Sequence, residues 1–302
     1  MNRIVILGGS SFIGSQILSD IEFMGVSALA TTRKDVSSYS TSGSLVNWVQ
    51  CDPILPGALN SILEPADIVI NLIYTGISEL DNAITSNLIL ASETTMLSKI
   101  IHCSTACLGE VKHSKVISED STYYASTKYE IEKTNLENML SKSVASSILS
   151  IVRPAVVFGK GGRNLSIFIS RAKSKRHLTN FLSIFFFGAR QMHLVPVDQV
   201  SREIINLAGK DPLHCPDIIL ISNLNSLTML EVLNEIYLSL YNKKLCSFAL
   251  PQWIGQSILK LARKADPYYD KLFISKYLKS EKSSSDEKDH LVRLLRDFIA
   301  SH

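Results

Sequence analysis

The sequence predicts a doubly wound α/β fold, a mainly parallel sheet with helices on both faces and a smaller C-terminal lobe. Three observations predict it. Short apolar runs alternate with longer amphipathic stretches from residue 3 to about residue 155. The first run leads directly into a glycine-rich turn. Finally, 302 residues that are 46% hydrophobic suffice for a large core, yet the longest apolar stretches fall short of the ~20 residues a membrane span needs.

Taken in order, Arg3-Ile-Val-Ile-Leu7 is the first strand and Gly8-Gly-Ser-Ser-Phe-Ile-Gly14 the turn. A helix from Phe12 to Met24 follows, with Ile13, Ile17, Leu18 and Ile21 near helical spacing. Strand, glycine turn and helix form the context of a dinucleotide fingerprint. Gly8 allows the tight turn and Gly14 close helix–strand packing. Ser10, Ser11, Phe12 and Ile13 complete a loop whose backbone N–H groups and helix dipole suit a pyrophosphate. Ser11 stands where a middle glycine is expected. It narrows the backbone approach but brings a hydroxyl that can donate to phosphate.

The second strand, within Val26 to Lys34, ends in Thr31-Thr32-Arg33-Lys34, without the acid an NAD ribose prefers. Arg33 can pair with a 2′-phosphate and stack on adenine, which favours NADP(H). Asp35 keeps NAD(H) open through a shift of register. Further strands are expected at Val46–Gln50, Ile68–Leu72, Ile100–Ser104 and Ser147–Val152. Helices are expected at Gly57–Leu63, Asp81–Leu97 and Tyr123–Lys142. Ser104 and Asp52 lie at or just beyond carboxyl ends of strands, where such folds bind ligands. His102, inside its strand, reads as structural, and strand alternation turns Thr105 away from Ser104.

Tyr124-Ala-Ser-Thr-Lys128 carries the chemistry. Four residues apart on a helix, the two side chains share a face. The ammonium favours phenolate over phenol. Moving a tyrosine pKa from about 10 toward 7 takes roughly 4 kcal/mol. Such a group exchanges protons with a carbonyl or alcohol oxygen near neutral pH. Tyr129 lacks this spacing to Lys128 and reads as a residue that packs or lines the site.

Together these residues resemble the extended short-chain dehydrogenase/reductase family, of the nucleotide-sugar epimerase, dehydratase and keto-reductase type. Residues 3 to about 208 carry the resemblance. It implies a Rossmann-type sheet and a cofactor set of Gly8, Ser10, Ser11, Phe12, Ile13, Gly14, Arg33, Asp52 and Pro154, with Asp52 at the adenine. It implies Tyr124 and Lys128 as the catalytic pair and Glu132 at the usual distance after the lysine. Ser104 corresponds to the hydroxyl that binds the reacting oxygen, and Asn87 to the helix asparagine that orders water near the lysine. Arg153-Pro154 through Gly159 and His193 through Asp198 match two further segments.

Three departures bear on the substrate. Leu72-Ile73-Tyr74-Thr75-Gly76 replaces a His-x-Ala-Ala segment, Val156 an asparagine, and Leu108 a tyrosine. The implied activity is NAD(P)-dependent reduction or epimerisation at a keto or hydroxyl carbon of a nucleotide-activated sugar. A NAD-retaining 4-epimerase and a non-catalytic NADP-sensing protein are the alternatives, and steroid-type or phenolic ketones remain open as substrates. The implied domains are 1–155, a cofactor-binding core, and 156–302, a substrate lobe from which 192–222 returns to the core. A homodimer through the helices bearing Asn87 and Tyr124 is also implied.

In the C-terminal part, Ser166–His177 reads as a helix with a basic end. Phe181–Phe187 reads as a core or dimer strand; the alternative for this basic and apolar segment is a contact with a nucleotide diphosphate or a foot on a lipid surface. A strand is expected at Ile218–Ser222, a capped helix from Thr228 toward Tyr241, and a helix at Pro251–Arg263. Lys279–Asp289 reads as a linker, and His290–Ala300 as a terminal helix with Leu291, Leu294, Leu295 and Phe298 on one face. A net charge of +3 is too mild for a nucleic-acid partner. The five cysteines show no metal spacing beyond a loose Cys103-x-x-x-Cys107, and buried reduced thiols and a cytoplasmic setting are expected.

Overall fold

The computed structural model describes residues 2–39, 44–108, 110–111, 116–174, 177–211, 218–223, 225–245, 277–278 and 288–301. The chain forms two compact units, each assembled from three segments. The first comprises Met1–Leu108, Lys128–Pro154 and Val197–Ile219. The second comprises Gly109–Thr127, Ala155–Pro196 and Leu220–His302.

The first segment lays down β1 (Ile4–Leu7), α1 (Phe12–Phe23), β2 (Ala28–Thr32), β3 (Val46–Gln50), β4 (Ile68–Asn71), α2 (Ser78–Thr95) and β5 (Lys99–Cys103). Three two-residue strands follow in the other unit: β6 (Glu110–Val111), β7 (Val116–Ile117) and β8 (Tyr123–Tyr124). The chain then returns with α3 (Lys128–Ser143) and β9 (Leu149–Pro154). The second unit continues with β10 (Val156–Phe158), α4 (Ser166–Lys173), α5 (His177–Phe187), β11 (Gln191–Met192) and β12 (Leu194–Pro196). After α6 (Val197–Gly209) and β13 (Ile218–Ile221) come β14 (Leu227–Thr228), α7 (Met229–Tyr241), β15 (Tyr277–Leu278) and α8 (Lys288–Ala300).

The main sheet has seven strands in the order β13-β9-β5-β4-β1-β2-β3. Its assigned pairings, from β3 to β9, are all parallel. β1 and β4 are buried at every position, as strands covered on both faces must be. One face packs Val5, Leu7, Val69, Ile100 and Ile151 against Leu88, Ala91 and Leu140 of α2 and α3. The order turns back beside β1, which puts the glycine loop at the switch point where such sheets bind ligands.

Lys99 is a fully buried lysine in β5, and its Nζ donates to the carbonyls of Leu207 (2.6 Å) and Lys210 (2.5 Å). It closes the C-terminus of α6, whose last carbonyls lack partners within the helix. Lys99→Met keeps the stem and removes both of these bonds, while the Leu207 carbonyl keeps only the longer bond from Lys210 N–H (3.3 Å). The expected loss is about 2 kcal/mol in urea unfolding. An unchanged midpoint would contradict that role for Lys99.

Three expected elements differ. Gly57–Leu63 is a chain of turns; Gly57 has φ +77°, and Leu59 and Leu63 still reach the core. Phe181–Phe187 lies within helix α5, where Phe181 and Phe185 stack at one-turn spacing and Ile184 is buried. An unbroken apolar run does not distinguish strand from helix. The helix expected from Tyr123 begins only at Lys128.

At α7 the expected capping box is present: Thr228 Oγ1 accepts from Glu231 N–H, and Glu231 accepts from Thr228 N–H. Helix α8 packs Leu291, Leu295 and Phe298 into the core of its own unit. Lys288–Glu231 (2.5 Å) and Arg296–Glu235 (2.6 Å) tie it to α7. Pro251–Arg263, Cys215, Cys246 and residues 279–287 lie outside the described residues. Among the described residues no helix is long and apolar enough to cross a membrane.

Candidate functional site

A cleft of about 480 Å³ opens at the carboxyl ends of β1, β2, β3 and β4. Gly8, Ser10, Ser11, Arg33, Asp52 and Tyr74 are among its lining residues. Gly8 has φ +85°, and its N–H donates to Thr31 Oγ1 (3.2 Å), tying the loop to β2. A Cβ on Gly14 would stand 2.4 Å from the Gly8 carbonyl oxygen, so the helix start admits only glycine there. Ser11 needs no such freedom: at φ −74° it caps α1, accepting from Gly14 N–H (3.1 Å). Phe12 and Ile13 form the first turn of α1.

On the far wall, Asp52 Oδ1 accepts from Ile54 N–H (3.2 Å). The Asn87 amide donates to the carbonyls of Pro53 (2.8 Å) and Ile54 (3.0 Å). Its side chain thus fixes the loop carrying Asp52; among the described residues it has no bond to a lysine. The residues fit a dinucleotide: a crowded glycine turn against a capped helix N-terminus, with the Arg33 cation and the Asp52 carboxylate both lining the cleft.

The expected helical face of Tyr124 and Lys128 is not formed. Tyr124 lies in β8, opposite Glu110 of β6 in an antiparallel pair, and is 47% exposed. Lys128 is the first residue of α3; its side chain is 79% exposed, with an ion pair to Glu132 at 3.6 Å. Antiparallel pairing holds the chain extended through Tyr124, so the helix cannot start early enough to place both residues on it.

One helical turn further on, α3 offers the same spacing again, Tyr129 and Lys133. Lys133 is only 4% exposed, and its ammonium rests over the Tyr74 ring, 4.0 Å from the centroid. Burial pushes its pKa down, opposed by Cys103, Asp81 and Glu137. The Tyr129 ring packs edge-on against Tyr74, with centroids 5.6 Å apart. Burial raises the Tyr129 pKa, and its side-chain contact with the Thr105 hydroxyl partly counters that. Thr105 lies beyond the last residue of β5, so strand alternation no longer fixes its direction.

Glu137, four residues after Lys133, takes a two-point bond from Arg153 (3.1 and 2.6 Å) in the buried core. Pro154 ends β9 and accepts from Ala106 N–H (2.9 Å). Ser104 is buried, and its hydroxyl has no partner among the described residues. His102 is also buried: its Nδ1 lies 3.2 Å from the Asn71 amide, and burial together with Lys133 pushes its pKa down to about 3. It is neutral, a structural residue beneath the site.

The sequence contained a signal for the second pair. Lys133, Leu136 and Leu140 follow the i, i+3, i+7 stripe that a core-facing helix shows, and Tyr129, one turn before Lys133, is 39% exposed. Lys128 belongs to the exposed flank. Among the described residues no group of three or more His, Cys, Asp or Glu could hold a metal ion.

Comparisons with known proteins agree with this architecture. The UDP-N-acetylglucosamine 4-epimerase from Bacillus cereus superposes with a TM-score of 0.71 at 16% identity, covering 99% of each chain. The Bordetella bronchiseptica enzyme WbmG in complex with NAD gives 0.75 at 15% identity, covering 99% of this chain and 94% of that one. UDP-N-acetylglucosamine 4-epimerase from Methanobrevibacter ruminantium M1, in complex with UDP-N-acetylmuramic acid, gives 0.73 at 16% identity, covering 99% and 97%. At such identities the likeness speaks for the fold. A search of curated protein sequences found no match. The model of the NAD dependent epimerase/dehydratase family matches residues 4–202, about two thirds of the chain, and the protein belongs to that family.

Proposed function

We propose that this protein is an NADP(H)-dependent reductase acting on a ketone of a nucleotide-activated sugar, with Tyr129 as the acid, Lys133 beside it and Ser104 at the reacting oxygen. The observation that carries this reading is a buried lysine one turn after a tyrosine that touches Thr105, the neighbour in sequence of Ser104, whose buried hydroxyl has no partner among the described residues. The nicotinamide, when bound, supplies or accepts the hydride. Tyr129 passes its proton to the substrate oxygen. Ser104 donates to that oxygen, steadying the charge that develops on it. Tyr124 and Lys128 take no part in this scheme.

Arg33 supports the choice of NADP(H), because it lines the cleft just after β2, where no carboxylate receives a ribose 2′-hydroxyl. Arg33→Ala is expected to weaken NADPH binding about 10- to 100-fold and NADH binding less than about threefold, measured by calorimetric titration. Equal losses would sink the 2′-phosphate assignment.

A NAD-retaining 4-epimerase is the second reading, favoured because two of the superposed structures are UDP-N-acetylglucosamine 4-epimerases. One experiment separates them. The purified protein is incubated with NADPH and a UDP-4-keto sugar, and separately with UDP-N-acetylglucosamine, and both reactions are followed by NMR. NADPH consumption in the first supports the reductase. Epimer formation in the second, with tightly held NAD and no net redox change, overturns it.

A further inference from the structure

We propose that Tyr74 is the positioning residue of the Tyr129–Lys133 pair, its ring being the seat that fixes the Lys133 ammonium. The inference rests on the reading that Tyr129 and Lys133 handle the proton. Tyr74 lies in the loop after β4, and its ring touches both members: Lys133 sits over its face and Tyr129 meets it edge-on. The ring itself is held firmly. Its hydroxyl donates to Glu132 Oε2 (2.9 Å), and Glu132 also accepts from the Ser78 hydroxyl and pairs with Lys128. The loop around Tyr74 is pinned in turn, because the buried Asp81 carboxylate accepts from the N–H groups of Thr75 (2.7 Å) and Gly76 (3.1 Å).

A buried ammonium needs such a seat. The charged and titratable groups acting on Lys133 are Cys103 and His102 from β5, Asp81 from α2 and Glu137 from α3. Their hydrogen bonds go elsewhere: Asp81 to the loop, Glu137 to Arg153. Among the described residues the face of Tyr74 is in direct contact with the ammonium, and an aromatic face attracts a desolvated cation strongly. Because the same ring packs against Tyr129, it sets where the lysine stands relative to the phenol. Glu132 acquires a role here as well, holding the ring from below.

The test uses the full chain without added ligand. Competitive acetylation over a pH series, read by mass spectrometry at the Lys133 peptide, gives the midpoint for that amine. Phenylalanine and its mono-, di- and trifluoro derivatives are installed at position 74, keeping the ring's shape while draining its negative face. The ring stabilises the ammonium, so weakening it must favour the neutral amine and lower the midpoint. The midpoint is expected to fall slightly in Tyr74→Phe, which loses the Glu132 anchor, and then to fall stepwise from that reference, by about one pH unit over the fluorinated series. Turnover should fall in parallel, about 10-fold, with KM changed less than about threefold. A midpoint that does not move across the series overturns the proposal. Wild-type turnover in Tyr129→Phe would instead overturn the catalytic reading, and the acetylation result would stand independently of it.

Discussion

Tyr129→Phe is expected to lower turnover about a thousandfold and to leave NADPH affinity almost unchanged. Phenylalanine keeps the edge-on packing against Tyr74 and removes only the hydroxyl beside Thr105. A positioned acid contributes about 10²- to 10⁴-fold, which sets the scale. Tyr124→Phe is the matched control. That residue lies on a two-residue strand, half-exposed, and its loss should change turnover less than about threefold. Steady-state kinetics on both variants, with calorimetry of the dinucleotide, decides between the pairs. If Tyr124→Phe is inactive and Tyr129→Phe is not, proton transfer belongs to the earlier tyrosine.

Arg153→Met is expected to destabilise the protein by about 3–5 kcal/mol in urea unfolding. Arg153 and Glu137 are both almost fully buried, and their two-point bond ties α3 to β9. Removing the arginine leaves a carboxylate in the core with its main partner gone. Adding Glu137→Leu should recover most of the loss, because a well-packed apolar pair serves about as well as a buried ion pair. A single variant as stable as wild type would mean that the pair contributes little. Glu137 also stands one turn beyond Lys133, so losing its anchor should cost activity even at temperatures where the fold survives.

Much of the fold was legible because its signals are local. The glycine turn, the capped start of α7 and the apolar strands each follow from a few adjacent residues. Every expected strand of the main sheet falls within a residue or two of the observed one. Less legible was where the helix bearing Lys128 begins. Tyr-x-x-x-Lys occurs twice, at 124–128 and 129–133, and spacing alone cannot rank two copies. The choice depends on where the helix begins, and β8 pairing with β6 sets that from outside the segment. Leu136 and Leu140 would have identified the inward face. Thr105 lies past the end of β5, where strand alternation no longer sets the direction of a side chain. The role of Tyr74 could not be read at all, since it arises from a loop, a helix and a lysine distant in sequence.

The cap that Lys99 places on α6 also bears on how the chain is made. The lysine leaves the ribosome more than a hundred residues before the two carbonyls it will bind. Until α6 arrives, its amine must remain in water, and one face of β5 stays uncovered. The N-terminal sheet is therefore a waiting structure during synthesis, completed only by a segment that first departs into the second unit and then returns. Vectorial synthesis thus exposes an apolar sheet face for as long as the intervening residues take to appear. That interval, rather than the final stability, is when this chain is most in need of protection.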